Sequence, residues 1–297
     1  MKKNLIGGIL FSSAGSFWWG VIGVFYFKYV SFAGPVELVV HRILWTFFIL
    51  LLTITLFSKW NYVLNIINSK KTIFILLFSG LLIFINWFTW IYAVFTNRLV
   101  DASFGYYIFP ILSVLFGFLF FKEKLSRNKI ISIILVLISV VYLLFNFYSI
   151  PWIGLTVAIT WSTYNLIRKK INVQADVGLF IESLFFVPIA LAFFYFISQK
   201  GLNDFSMSKP NNMFWLFLAG PMTVIPLYLY LRGVELAGLG PAGMTFFIAP
   251  TGQFLLGIFY YDEIFNIHKL IGFILIWIAV IIYLKDLNQK KRKVKND

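Results

Sequence analysis

The chain has no cysteine, two histidines and 11 acidic residues among 297, and only 12% of it is charged. Without cysteine there is no disulfide, thiolate metal site or cysteine nucleophile. His41 and His268 leave any metal site to carboxylates, so neither a metal nor a cofactor is expected. Soluble globular chains are charged at about a quarter of their positions, so the shortage of charge excludes that class. Also missing are G-x-x-x-x-G-K-[ST], H-E-x-x-H, G-x-S-x-G and a glycine-rich dinucleotide loop. ATP-driven pumping and hydrolase chemistry therefore have no local signature, and an enzyme is not expected.

What the chain does have is apolar length: 61% apolar residues, 21% aromatic residues and a mean hydropathy of +0.89. Apolar stretches cover 5–27, 36–57, 72–95, 101–121, 130–147, 151–167, 177–198, 213–231, 241–261 and 270–284. About 20 apolar residues cross the roughly 30 Å hydrocarbon layer as a helix. The stretches predict an all-α integral membrane protein with ten transmembrane helices. Met1-Lys2-Lys3 followed by an apolar run looks like a signal peptide, but a run reaching Phe27 is too long for that and reads as the first span.

The formal charge is +14, yet the basic residues sit in short clusters between apolar runs, so no nucleic-acid partner is expected. With the N-terminus inside, nineteen of the 25 lysines and arginines fall in inside segments. Five fall outside (Lys28, Arg98, Lys200, Lys209 and Lys269), and Arg42 alone lies within a span. Both termini are expected in the cytoplasm.

Residues 79–144 align without a gap onto 219–284 at an offset of 140, pairing Gly80 with Gly220, Pro110 with Pro250, Gly117 with Gly257 and Glu123 with Glu263. A duplicated five-helix unit follows, and an odd number of spans makes the second unit enter the membrane in the opposite sense. Expected units are 1–147 (spans 1 to 5), 148–284 (spans 6 to 10, inverted) and a basic cytoplasmic tail, 285–297. Inverted repeats place a site near the midplane that can face either side, with broken helices beside it. Pro110, Pro221, Pro226 and Pro250 are the expected break or hinge positions, and Gly238, Gly240, Pro241 and Gly243 loosen the start of the ninth span.

Ionisable groups within spans need a partner, a water-filled cavity or a function. Glu37 and His41, at i and i+4, share a face of the second span, with Arg42 one position round. Glu37 can accept a hydrogen bond from His41, and Arg42 can bind a carboxylate or phosphate through two parallel bonds, or else snorkel to the interface. Glu182, a lone carboxylate in the seventh span, can carry a coupled proton or pair structurally. Asp101 reads as a helix cap, and Glu123 and Glu263 as loop-edge salt-bridge partners. Asn86, Trp87, Trp90, Tyr106 and Tyr107, with Trp18, Trp19, Trp161, Asn165, Tyr228, Tyr230 and Gln253, can line an aromatic, partly polar pocket.

Several local patterns resemble the RarD-type branch of the EamA group in the drug/metabolite transporter superfamily. They are Glu37 with His41-Arg42-Ile43-Leu44-Trp45, Asn86-Trp87 before Ile91-Tyr92-Ala93-Val94, Ala102-Ser103-Phe104-Gly105-Tyr106 and Leu166-Ile167-Arg168-Lys169. Gly178-Leu179 with Ile181-Glu182-Ser183, Gly220-Pro221-Met222-Thr223 with Ile225-Pro226-Leu227, and Ala249-Pro250-Thr251 with Gln253-Phe254-Leu255 extend the match along nearly the whole chain. The resemblance implies two EamA-type repeats, a bacterial cytoplasmic-membrane location and facilitated or ion-coupled transport. The family pattern usually has asparagine where this chain has Phe95 and Phe109, and glutamine near Phe246, which implies a more apolar pocket.

The expected function is secondary-active or facilitative transport of a small polar or amphipathic metabolite by alternating access. Lipid and solute are the expected partners, with a coupled proton or other ion. An integral-membrane enzyme acting on a lipid-linked substrate would have to use Glu37, His41 and Arg42. A non-transporting membrane partner would need a docking domain larger than the longest loop, about Gln199 to Asn212.

Overall fold

The computed structural model describes residues 4–96, 99–145, 152–260 and 267–296, which are helical with no strand among them. In chain order the elements are α1 (Leu5–Phe17), a π-helical turn (Trp18–Ile22), α2 (Gly23–Tyr29), α3 (Pro35–Leu56), α4 (Trp60–Ile67), α5 (Lys70–Phe95) and α6 (Leu99–Phe121). Then come α7 (Arg127–Leu144), α8 (Trp152–Ile171), α9 (Ala175–Gln199), α10 (Pro210–Phe217), α11 (Ala219–Ala237), α12 (Leu239–Thr245), α13 (Ile248–Tyr260) and α14 (Ile267–Asn296).

Local chemistry sets many of these ends. The Asn4 side chain accepts the Gly7 N–H at 3.0 Å to cap α1, and the Ser126 hydroxyl accepts that of Lys129 to cap α7. Pro35 and Pro210 open α3 and α10, where a missing N–H costs nothing.

Among the described residues, seven stretches are long and apolar enough to cross a membrane: Leu5–Tyr29, Pro35–Leu56, Lys70–Ala93, Arg127–Leu144, Ala175–Gln199, Pro210–Ala237 and Leu270–Leu287. The other three expected stretches fall short for separate reasons. In α6 the stretch that counts is Gly105–Phe121, because the side chains of 99–104 lie outside the described residues. Thr156, Thr160, Thr163, Asn165 and Arg168 lower the hydropathy of α8, and the ninth stretch is cut at Phe246 and Phe247 into α12 and α13. Side chains on the outward faces are apolar, among them Leu52, Phe74, Leu119, Phe193 and Ile281, as a lipid solvent requires.

The expected breaks are realised unequally. Pro110 lies inside an uninterrupted α6, whereas Pro250 sits in the first turn of α13, just past the break. Pro221 occupies the first turn of α11, and Pro226 lies in its interior. The π-helical turn is an interruption that the expectations did not include, and Pro188 is a further proline inside a continuous α9.

Packing is dominated by α1 along α11, α3 on α9 and on α11, α5 on α8 and α9, α6 on α8 and α12, and α7 on α14. The α1/α11 seam is built from small residues. A Cβ on Gly15 would stand 2.7 Å from the Pro226 carbonyl oxygen, and one on Gly233 2.6 Å from Ser12 Cβ. Close backbone approach between apolar helices gains dispersion that lipid does not supply. Gly233→Val is expected to lower the melting temperature of the purified protein by roughly 5 °C, the scale of an overpacked core site in a chain of this size; an unchanged melting curve would contradict the seam.

Candidate functional site

Arg42 lies seven residues into α3, roughly 10 Å from its start at 1.5 Å per residue. It does not snorkel: only 8% of it is exposed. Gly220 lets α11 press against α3, since a Cβ there would be 2.6 Å from Trp45 Cβ. One turn later Thr223 accepts a hydrogen bond from Arg42 Nε at 3.1 Å and donates its own proton to the Ala219 carbonyl at 2.8 Å. The Trp87 ring covers the guanidinium at 4.7 Å. Tyr26 and Tyr106 stand within electrostatic reach. Arg42 forms no ion pair among the described residues, and Nη1 and Nη2 make no hydrogen bond with them.

The expected Glu37–His41 hydrogen bond is not made. His41 Nε2 stands 3.9 Å from Glu37 Oε1, while its Nδ1 accepts from Trp45 Nε1 at 3.1 Å. Glu37 instead accepts the Asp204 backbone N–H at 2.6 Å, tying the longest loop onto the start of α3. Asp204 is in turn paired with Lys209 at 2.6 Å. The three residues thus part: Glu37 docks the loop, His41 holds Trp45, and Arg42 faces the interior.

Glu182 is not a lone carboxylate. It accepts from Ser79 Oγ at 2.5 Å, Tyr164 Oη at 3.0 Å and Arg168 Nη1 at 3.2 Å. Arg168, counted above among the loop charges, is 4% exposed. Its Nη2 also donates to the carbonyls of Gln174 and Ala175, which binds the α8–α9 turn to the pair. Sequence reasoning missed Arg168, Tyr164, Ser79 and Thr223. A signal was available for one relation: Arg42 and Glu182 are 140 residues apart, the spacing that relates Gly80 to Gly220. A cavity of about 20 Å³, room for one water, is lined by Trp87 and Glu182, so the two charge sites share a wall.

The expected aromatic pocket divides. Trp19, Tyr106, Phe109, Trp161, Tyr230 and Phe246 form one central cluster, with Phe109 and Phe246 edge to face at 4.8 Å. Two of the positions at which the resemblance implies a more apolar pocket therefore touch each other. Asn86 faces α8, donating to the Val157 carbonyl and Thr160 Oγ1, both at 3.0 Å. Asn165 donates to the Trp161 carbonyl, while its Oδ1 and Trp161 Nε1 are buried without a partner among the described residues. Trp90 packs on Phe27 and Tyr107 on Phe273, each away from this cluster, and Tyr228 faces outward with 37% exposure. Gln253 is half-buried in α13. Glu263 and the side chains of Phe95 and Asp101 lie outside the described residues.

Polar ties close one end of the bundle. Lys59, beyond α3, is paired with Asp176 at the start of α9. Lys169 donates to the Val234 and Glu235 carbonyls at the end of α11, at 2.7 and 2.9 Å. Glu123, expected as a salt-bridge partner, accepts the N–H groups of Leu239 and Gly240 at 2.9 and 3.1 Å and so caps α12. Gly238 precedes them at φ 99°, a conformation that glycine adopts without strain.

Removing one member of a buried ion pair leaves the other unpaired at a cost of about 3–5 kcal/mol, whereas replacing both by apolar groups is close to neutral. Glu182→Gln is thus expected to destabilise the protein strongly in thermal melts, and Arg168→Met with Glu182→Leu to recover much of that loss. An additive double variant would contradict the pairing.

The EamA-like transporter family matches the chain twice, over residues 6–145 and 149–285. Protein RarD of Salmonella typhi is 31% identical over 98% of this chain and 99% of its own length. An uncharacterized transporter of Vibrio cholerae is 33% identical over 94% and 92%, and another of Bacillus subtilis 31% over 97% of each. A solved crystal structure at 15% identity superposes with a TM-score of 0.69 over 94% of this chain and 97% of that one, a likeness of fold. With two matched segments, full-length relatives and a bundle of apolar helices, the chain is a multi-pass membrane protein of the EamA-like transporter family, of the RarD type.

Proposed function

We propose that the chain is a secondary-active or facilitative transporter that moves a small polar or amphipathic metabolite by alternating access. In this reading ten spanning helices form two inverted five-helix repeats, 1–147 and 148–284, followed by the basic tail 285–297. Both termini lie in the cytoplasm of a bacterium, and the protein sits in its cytoplasmic membrane.

The reciprocal packing of the two halves carries the proposal. Gly220 of α11 lies against Trp45 of α3, and Gly80 of α5 lies against Phe186 and Glu182 of α9, so corresponding helices pack in corresponding ways across the halves. α3 and α9 begin 140 residues apart, as the repeat requires, and pack on each other. A carrier of this kind has its site where such helices cross, with access from one side at a time. The ties of Lys59, Lys169 and Glu123 lie at the cytoplasmic end in this orientation, so the described conformer is closed to the cytoplasm.

The absence of native cysteine makes the test clean. Proteoliposomes loaded with an unlabelled bacterial metabolite extract are offered a uniformly labelled one, and saturable counterflow of part of it is expected. With Lys59→Cys and Asp176→Cys in one chain, bridging by a short bifunctional maleimide is expected to stop counterflow while the unbridged variant keeps it. Flux without saturation, or flux indifferent to the bridge, would overturn alternating access.

A further inference from the structure

Two buried charges stand at related positions of the helices that cross at the centre, Arg42 on α3 and Glu182 on α9, and they differ in how they are neutralised. Glu182 has a counter-charge in Arg168 at 3.2 Å and two hydroxyl donors besides. Arg42 has none. No carboxylate among the described residues pairs with it: Glu37 is taken by the Asp204 N–H, Glu182 by Arg168, and the groups within electrostatic reach are the phenols of Tyr26 and Tyr106. A guanidinium this deeply buried and unpaired is costly in a membrane, and such residues face a partner or a pathway.

Its surroundings restrict that partner. Thr223 takes Nε and fixes the plane of the group, and Trp87 covers its face, so the end-on pair Nη1 and Nη2 is left for recognition. Two parallel N–H donors match the two oxygens of a carboxylate or of a phosphate. The Tyr106 hydroxyl and Trp87 Nε1 make no hydrogen bond to a described residue, and both rings offer apolar area to whatever adjoins the anion.

Resting on the transporter reading above, we infer that the counter-ion of Arg42 is the solute itself: the protein takes a small organic anion, a carboxylate or phosphate monoester with an apolar or aromatic body, and binds its anionic end to Arg42 Nη1 and Nη2. Thr223 is then a positioning residue, since it holds the guanidinium without touching the anion.

The test uses the full chain in lipid nanodiscs and its thermal stability, because a ligand bound to the folded state raises the melting temperature by mass action. Four probes share one ring: phenylacetate and phenyl phosphate as anions, phenylacetamide as the neutral isostere and phenethylamine as the cation. At millimolar concentration one or both anions should stabilise, and the stronger shift separates carboxylate from phosphate. The amide and the amine should leave the melting temperature unchanged. Arg42→Lys keeps a charge but loses the fork, and is expected to weaken anion binding about tenfold. Arg42→Gln should abolish it, and Thr223→Val should weaken it while keeping the preference for anions. The assignment is overturned if neither anion stabilises, if the amide or amine does so equally, or if Arg42→Lys binds the anions as tightly as the parent. The counterflow assay separates this failure from that of the reading beneath it. Saturable exchange confined to neutral or cationic metabolites sinks the anion assignment and leaves the transporter standing, whereas absence of any counterflow sinks the transporter.

Discussion

Glu182 and Arg168 hold their charges in an apolar bundle because each satisfies the other, and much of the surrounding geometry follows from that pairing. Arg168 reaches the carboxylate from the last turn of α8 and gathers the Gln174 and Ala175 carbonyls on the way, so the sharp α8–α9 turn and the depth of α9 are set together. Ser79 brings α5 to the same oxygen, and Tyr164 brings another turn of α8. Three helices are thus indexed to one carboxylate. Packing between apolar helices in lipid has little sense of register, since hydrocarbon is as good a neighbour as leucine; a buried charge with directional partners supplies the register.

The centre beside this network is unusually aromatic. Phe109 and Phe246 meet edge to face, and Trp19, Trp161 and Tyr230 close around them. A wall of rings offers area and shape but few directional bonds. The polar groups beside it are few, namely Arg42, Tyr106, Trp161 Nε1 and Asn165 Oδ1.

Helix positions were legible because length and hydropathy are properties of a segment taken alone. α3, α5, α7 and α9 begin and end within a few residues of the apolar stretches that predict them. Interruptions were harder. The π-helical turn at Trp18–Ile22 carries no proline to mark it, and the break in the ninth stretch falls at Phe246 and Phe247, past the Gly238–Gly243 cluster that pointed to one. The site was legible as a set of residue types and not as a set of pairs. Arg42 and Glu182 stand out as ionisable residues in apolar runs. Arg168, next to two lysines at a helix end, looks like a topology signal, and only the folded turn shows it directed inward. Glu37 and His41 share a helical face, yet a loop 167 residues away takes the carboxylate.

The carboxylate of Glu123 belongs to the first half of the chain and terminates a helix in the second. Two backbone N–H groups rest on two oxygens of one side chain, in a place where a half-made arrangement leaves a donor and a charge without partners. Intermediate separations of α6 and α12 are therefore the least favourable ones. On the transport reading proposed above, a joint of this kind would be either shut or fully parted, so movement of α6 against α12 would have a threshold.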